Sequence, residues 1–265
     1  FGAEPYGNYN RIMLPPVLTG ETTLDEIILN TTEWYAENNI TLHTGKTIVK
    51  IDRKNRRVVA DDGTEAVYDR LLLATGSYPF VPPLEGHDRP HCLVYRTLDD
   101  LDAIRASSEG ARAGVVVGGG RLGLEAANAL KSLGLEAHVV EFAPRLMPVQ
   151  LDADGGALLR HKIEELGVQV HTEKATTAIT EGEDARLRMD FSDESFLETD
   201  LIVFSAGIRP QDALARASGL EIGERGGIVI NNHCTTSDPH VHAIGECALW
   251  EQKIFGLVAP GYTMA

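Results

Sequence analysis

The chain has 265 residues, 43% hydrophobic and 24% charged, enough apolar content for one or two ordinary cores. Its formal net charge of −15 argues against a nucleic-acid backbone as partner, because that binding is driven by Lys and Arg neutralising phosphates. No apolar run approaches the roughly 20 residues of a membrane helix, and Cys92, Cys234 and Cys247 form no C-x-x-C pair, so a dithiol redox centre is excluded and reduced thiols in a cytoplasmic setting are expected.

The opening FGAEP reads as the end of a strand carrying Glu4. Residues 40–51 and 62–76 give extended segments that end in the small turn Ala74-Thr75-Gly76. The Pro-rich stretch from Pro79 to Pro90 reads as a linker crossing between domains. Val115–Val117 is a short β-branched run suited to a buried parallel strand, and Gly118 to Gly123 then satisfies G-x-G-x-x-G. Leu122, Ala126, Ala129, Leu130 and Leu133 follow at helical spacing, with Gly134 as the stop. In such a turn Gly118 permits the tight bend, Gly120 lets backbone approach a pyrophosphate, and Gly123 lets helix pack on strand. The pyrophosphate sits on the free N–H groups at the helix start.

Residues 137–141, AHVVE, form the next strand and end in Glu141. A carboxylate there accepts hydrogen bonds from both ribose hydroxyls and repels a 2′-phosphate, so NADH is favoured over NADPH. Arg145 is the one nearby cation able to accommodate that phosphate. His233, His240 and His242 follow strand alternation, and no metal site is expected there.

Residues 40–51 and 168–179 share His-Thr, a Lys and a final Ile, and 62–76 and 193–207 share an Asp, an apolar stretch and a turn ending in Gly. These matches indicate a duplicated unit. The second copy ends in Ala206-Gly207. By symmetry Glu4 is the counterpart of Glu141. The first copy's glycine turn is expected about two dozen residues upstream of Phe1, in a longer protein. The expected fold is therefore α/β, with two Rossmann-like dinucleotide-binding domains, one inserted in the other and N-terminally truncated. Residues 1–95 and 211–265 form the first domain and 96–210 the second.

ATGS at 74–77, VVVGGGRLGLE at 115–125, SAGIRP at 205–210 and AIGE at 243–246 resemble FAD-dependent pyridine-nucleotide oxidoreductases. YNRIMLPPVLTGE at 9–21, YRTLDDLDAI at 95–104, EFAPRLM at 141–147, GGIVIN at 226–231, TSDP at 236–239 and FGLVAPGY at 255–262 resemble the large subunit of NADH-dependent nitrite reductases. The resemblance covers essentially the whole chain, and implies the three-layer, glutathione-reductase-like fold and a flavin–NADH module. In that family NADH reduces FAD, and electrons pass to an iron–sulfur cluster and siroheme further along the polypeptide, where nitrite becomes ammonia with a small partner subunit.

By resemblance, Arg11, Ala74, Thr75, Gly76, Gly245 and Glu246, with Glu4, are FAD-binding candidates. Gly118, Gly120, Leu122, Gly123, Glu141, Ala206 and Gly207 are NADH-binding candidates. Glu125 points towards the nicotinamide. Related rubredoxin and ferredoxin reductases place a Lys near the flavin where this chain has Pro16. Two alternatives stand beside the main reading: a stand-alone NADH-dependent rubredoxin or ferredoxin reductase, and a nucleotide-binding fragment without activity.

Overall fold

A computed structural model describes residues 1–265. The chain divides into two compact units: Phe1–Tyr9, Ile28–Tyr78 and Ile208–Ala265 in the first, Asn10–Ile27 and Pro79–Gly207 in the second.

Near the start come α1 (Leu14–Thr19) and α2 (Leu24–Ile27), both in the second unit, then α3 (Thr32–Glu37) in the first. The first unit continues with β1 (Ile48–Asp52), β2 (Arg57–Ala60) and β3 (Glu65–Val67), an antiparallel meander. It is followed by β4 (Leu71–Leu73) and β5 (Ser77–Pro79).

The second unit is built on β6 (Cys92–Val94), α4 (Leu98–Ser108), β7 (Ala113–Val117), α5 (Arg121–Ser132), β8 (Glu136–Val140), α6 (Ala153–Glu165) and β9 (Gln169–His171). The meander β10 (Thr176–Glu181), β11 (Leu187–Phe191) and β12 (Phe196–Thr199) follows, and β13 (Leu201–Phe204) returns to the main sheet. That sheet has the order β6-β13-β7-β8-β9, and every pair in it is parallel. Strands buried on both faces read as unbroken apolar runs, which is why Leu-Ile-Val-Phe in β13 shows no alternation and is buried throughout. From β7 the chain moves to β8 on one side, while β13 lies on the other. Such a reversal opens a crevice at the carboxyl ends of the strands.

The helix signals are local and specific. Thr97 and Asp100 form a reciprocal capping box at the start of α4. Gly134, with φ +90°, terminates α5 as expected.

The chain then returns to the first unit with β14 (Ile208–Pro210), α7 (Ala213–Ala217), β15 (Ile228–Val229), β16 (Val241–Ala243), β17 (Ala248–Trp250), β18 (Lys253–Ile254) and α8 (Val258–Met264). Strand β16 pairs parallel with β4. Ile51, Val58, Leu73, Ile228, Val241 and Cys247 form this unit's core. Val115, Val140, Ile179, Met189, Ile202 and Phe204 belong to the core of the second.

The compact units differ from the expected boundaries at 95/96 and 210/211. Residues 79–95 belong to the second unit, because β6 pairs with β13 and Glu85 bridges to Ala178. Residues 10–27 belong there too: α1 packs on α4 and α5, and the Arg105 guanidinium donates to the carbonyls of Val17 and Leu18.

The duplication is visible in backbone hydrogen bonds. Glu141 N–H donates to His171 O, Lys174 N–H to Glu141 O, and Glu173 N–H to Ala143 O. In the first unit Gly2 N–H donates to His43 O, Lys46 N–H to Gly2 O, and Gly45 N–H to Glu4 O. The second unit extends these bonds into β9, whereas residues 40–45 stay outside any strand.

Candidate functional site

Strand β7 delivers Gly118 to the carboxyl edge of the parallel sheet, beside Ser205 at the end of β13. Gly118 has φ +120°, and a Cβ there would lie 2.4 Å from the Ser205 carbonyl oxygen. A Cβ on Gly123 would lie 1.9 Å from Gly118 O, so helix and strand meet at a distance that only glycine allows. Gly120 differs, since a Cβ there would meet nothing within 4 Å. It is the N-cap of α5 and supplies no side-chain cap, so the leading N–H groups of the helix face the crevice unpaired. These N–H groups and the helix dipole suit a diphosphate.

Glu141 stands at the end of β8. One carboxylate oxygen accepts from Gly119 N–H at 2.6 Å and the other from Ala143 N–H at 2.7 Å. The acid is thus fixed against the glycine turn. The loop beyond it closes on the same turn: Met147 N–H donates to Gly119 O, and Leu146 is fully buried. Arg145 is committed to this loop, donating to Leu151 O at 3.0 Å and Pro148 O at 3.2 Å. Its stem packs on Gly156 of α6.

Ala206 and Gly207 follow Ser205 beside Gly118, and Gly207 adopts φ +103°. Leu122 is partly exposed in the first turn of α5. Glu125 lies one turn further on and accepts from Arg121 Nε at 3.1 Å. The structure therefore brings Gly118, Gly120, Leu122, Gly123, Glu141, Ala206 and Gly207 to one edge of one sheet.

In the first unit, β4 and β16 end side by side, with Leu73 opposite Ala243. Their following turns, Ala74-Thr75-Gly76 and Gly245-Glu246, are adjacent, and Ser77 Oγ donates to a Glu246 carboxylate oxygen at 2.7 Å. Gly76 and Gly245 both have positive φ, at +68° and +73°. A Cβ at Gly245 would enter open space. Both turns therefore present backbone, without an obstructing side chain at Gly245, at the carboxyl ends of β4 and β16.

One expectation, the equivalence of Glu4 with Glu141, is corrected. The shared hydrogen-bond register puts Gly2, not Glu4, at the place of Glu141, and Glu4 falls at the place of Ala143. The Glu4 carboxylate accepts from the Tyr9 hydroxyl. Arg11 belongs to the second unit, and its guanidinium donates to Arg96 O at 2.9 Å.

Sequence reasoning missed two features of the second unit. Tyr95 is buried at the carboxyl edge, and its hydroxyl has no hydrogen-bond partner. Burial, and then the Glu125 charge, push its pKa up. His138 Nδ1 and His171 Nε2 are 3.0 Å apart between β8 and β9, two strands behind the glycine turn. Burial holds both imidazoles below the usual histidine range, and their mutual repulsion adds to this at His171. Tyr95 opens the YRTLDDLDAI stretch and His171 the second His-Thr, but neither pattern reveals these features, since both depend on which strands become neighbours.

All 265 residues match the family described as pyridine nucleotide-disulphide oxidoreductase. The chain belongs to this family. Among its relatives, the large subunit of nitrite reductase (NAD(P)H) from Klebsiella oxytoca is 58% identical over 100% of this chain and 28% of its own length. The large subunit of nitrite reductase (NADH) from Escherichia coli strain K12 is 50% identical over 100% of this chain and 31% of its own length. The chain thus spans less than a third of these relatives. Among solved structures, an NAD-dependent persulfide reductase from A. fulgidus superposes with a TM-score of 0.86 at 30% identity, covering 93% of this chain and 47% of that one. No helix is long and apolar enough to cross a membrane. The three cysteines of this family member are free, so no disulfide occurs within these residues.

Proposed function

We propose that this chain is the flavin–NADH module of a nitrite-reducing enzyme. One observation carries the reading: an uncapped helix start at the switch point of a parallel sheet, with the Glu141 carboxylate locked onto the same glycine turn. The backbone N–H groups after Gly120 would hold the pyrophosphate, and Glu141 would accept the adenosine ribose hydroxyls. Arg145, held by two loop carbonyls, is not directed to a 2′-phosphate, which supports NADH over NADPH.

The turns at Ala74–Gly76 and Gly245–Glu246 would lie against FAD, with Glu246 accepting from a hydroxyl of the flavin nucleotide. FAD, when bound, supplies the acceptor for the hydride of NADH. The protein's part is orientation: backbone donors and one carboxylate fix the nicotinamide nucleotide, and no side-chain acid or base is needed for the transfer itself.

The onward centres are carried elsewhere in the longer enzyme. A cluster needs about four thiolates, and these residues offer three separate cysteines. An iron–sulfur cluster and siroheme would therefore belong to downstream domains, with a small subunit as further partner. The free thiols suit the cytoplasm. The stand-alone rubredoxin or ferredoxin reductase is the weaker reading, because the relatives at 58% and 50% identity are nitrite reductase large subunits.

The test is anaerobic addition of NADH to the purified chain loaded with FAD. Bleaching of the flavin bands is expected. A chain that takes up FAD and NADH but leaves the flavin oxidised contradicts the reading.

A further inference from the structure

Tyr95, whose buried hydroxyl has no partner, follows β6 at the same carboxyl edge of the sheet as the proposed nucleotide site. Val94, Phe204 and Val117 are aligned across β6, β13 and β7, so Tyr95, Ser205 and Gly118 stand in a row along the carboxyl edge. Two strand spacings, about 9.6 Å, separate the backbone of Tyr95 from that of Gly118. A phenol from one side and the Glu125 side chain from α5 on the other can bridge that gap.

Tyr95 is 3% exposed and its hydroxyl has no partner, which is costly for a buried donor. After burial, the Glu125 charge is the further influence that raises the phenol's pKa. At present Glu125 is held by Arg121 in an i,i+4 pair between side chains 36% and 67% exposed. Such a surface pair is worth less than a buried hydroxyl forfeits by staying unpaired. Arg121 is also the first residue of α5, where the diphosphate would arrive.

We infer that Tyr95 is a positioning residue: when NADH binds, Glu125 leaves Arg121 and accepts the Tyr95 hydroxyl hydrogen bond. The exchange frees the Arg121 guanidinium for the diphosphate and locks the Glu125 carboxylate at the nicotinamide end of the crevice. It satisfies the buried phenol only in the nucleotide-bound state. This assignment rests on the proposed NADH site and adds Tyr95 to it.

A double-mutant cycle on the full chain tests it, with NADH affinity and thermal unfolding measured on each variant. Tyr95→Phe removes the unpaired hydroxyl, so unfolding temperature holds or rises, while NADH binding weakens about 3- to 10-fold, the scale of one hydrogen bond. In a Glu125→Ala background Tyr95→Phe has no further effect on binding, and Glu125→Gln, which keeps an acceptor, restores part of the dependence. A structural role would move stability and affinity together. Unchanged NADH affinity in Tyr95→Phe, or the same loss with Glu125 absent, overturns the assignment while leaving the NADH site standing. A wild-type chain that binds no NADH overturns both.

Discussion

The two copies of the duplicated segment share a backbone and differ in what it carries. In each, a β-meander leads through Asp69 or Asp200 to a short parallel strand and a turn ending at Gly76 or Gly207. In each, three main-chain bonds tie the start of the copy to a His-Thr segment. At the position where the second copy has Glu141, the first has Gly2. Main-chain pairing can be preserved by any residue that keeps to the β region, whereas ligand selection rests on single side chains. In the second unit the glycine turn and the Glu141 carboxylate stand together at one edge, the arrangement proposed to hold the nucleotide. In the first unit the polar group at the strand ends comes from Glu246, in the turn that follows β16.

The comparison can be broken most severely at the glycine turn. Gly123→Ala drives a methyl group to within 1.9 Å of Gly118 O. We expect a loss of more than about 3 kcal/mol, read by denaturant unfolding, as α5 is forced off β7. Retention of full stability would show that the helix can slide. Next, Glu141→Ala removes charged hydrogen bonds to the ribose and weakens NADH binding by about 1.5–3 kcal/mol. Calorimetry showing unchanged affinity would remove Glu141 from the site.

A pH experiment sharpens the difference between the two edges. His138 and His171 have folded pKa values held below the histidine norm by burial, so the unfolded chain binds more protons as pH falls. Their contribution to stability is present above the unfolded value near 6.5 and is lost as pH drops through the lower folded values. Melting curves should show wild type losing stability on acidification more steeply than His171→Gln. Parallel profiles would mean the pair does not titrate on unfolding. Smallest of all, Gly2→Ala meets nothing within 4 Å and should change stability by no more than about 0.5 kcal/mol.

Sequence patterns revealed the features whose chemistry is local. The glycine spacing, the strand ending in Glu141 and the repeated His-Thr segments could be read because turns, caps and period depend on neighbours in sequence. The boundaries could not: β6 is three residues long and acquires its unit only by pairing with β13. The acid in FGAEP suggested Glu4, but the register that decides equivalence is written in main-chain bonds to His43 and Gly45. Residues 10–27 read in sequence as part of the first domain, yet α1 packs on α4 and α5 of the second unit. Tyr95 and the paired histidines emerge only once the order of strands is known.

The central claim is that the crevice at Gly118–Gly123 and Glu141 takes NADH. Paired titrations of the purified chain with NADH and NADPH test it directly. NADH is expected to bind at least about tenfold more tightly, since a 2′-phosphate meets a carboxylate while the Arg145 guanidinium is held by loop carbonyls. Equal affinity, or a preference for NADPH, would contradict it.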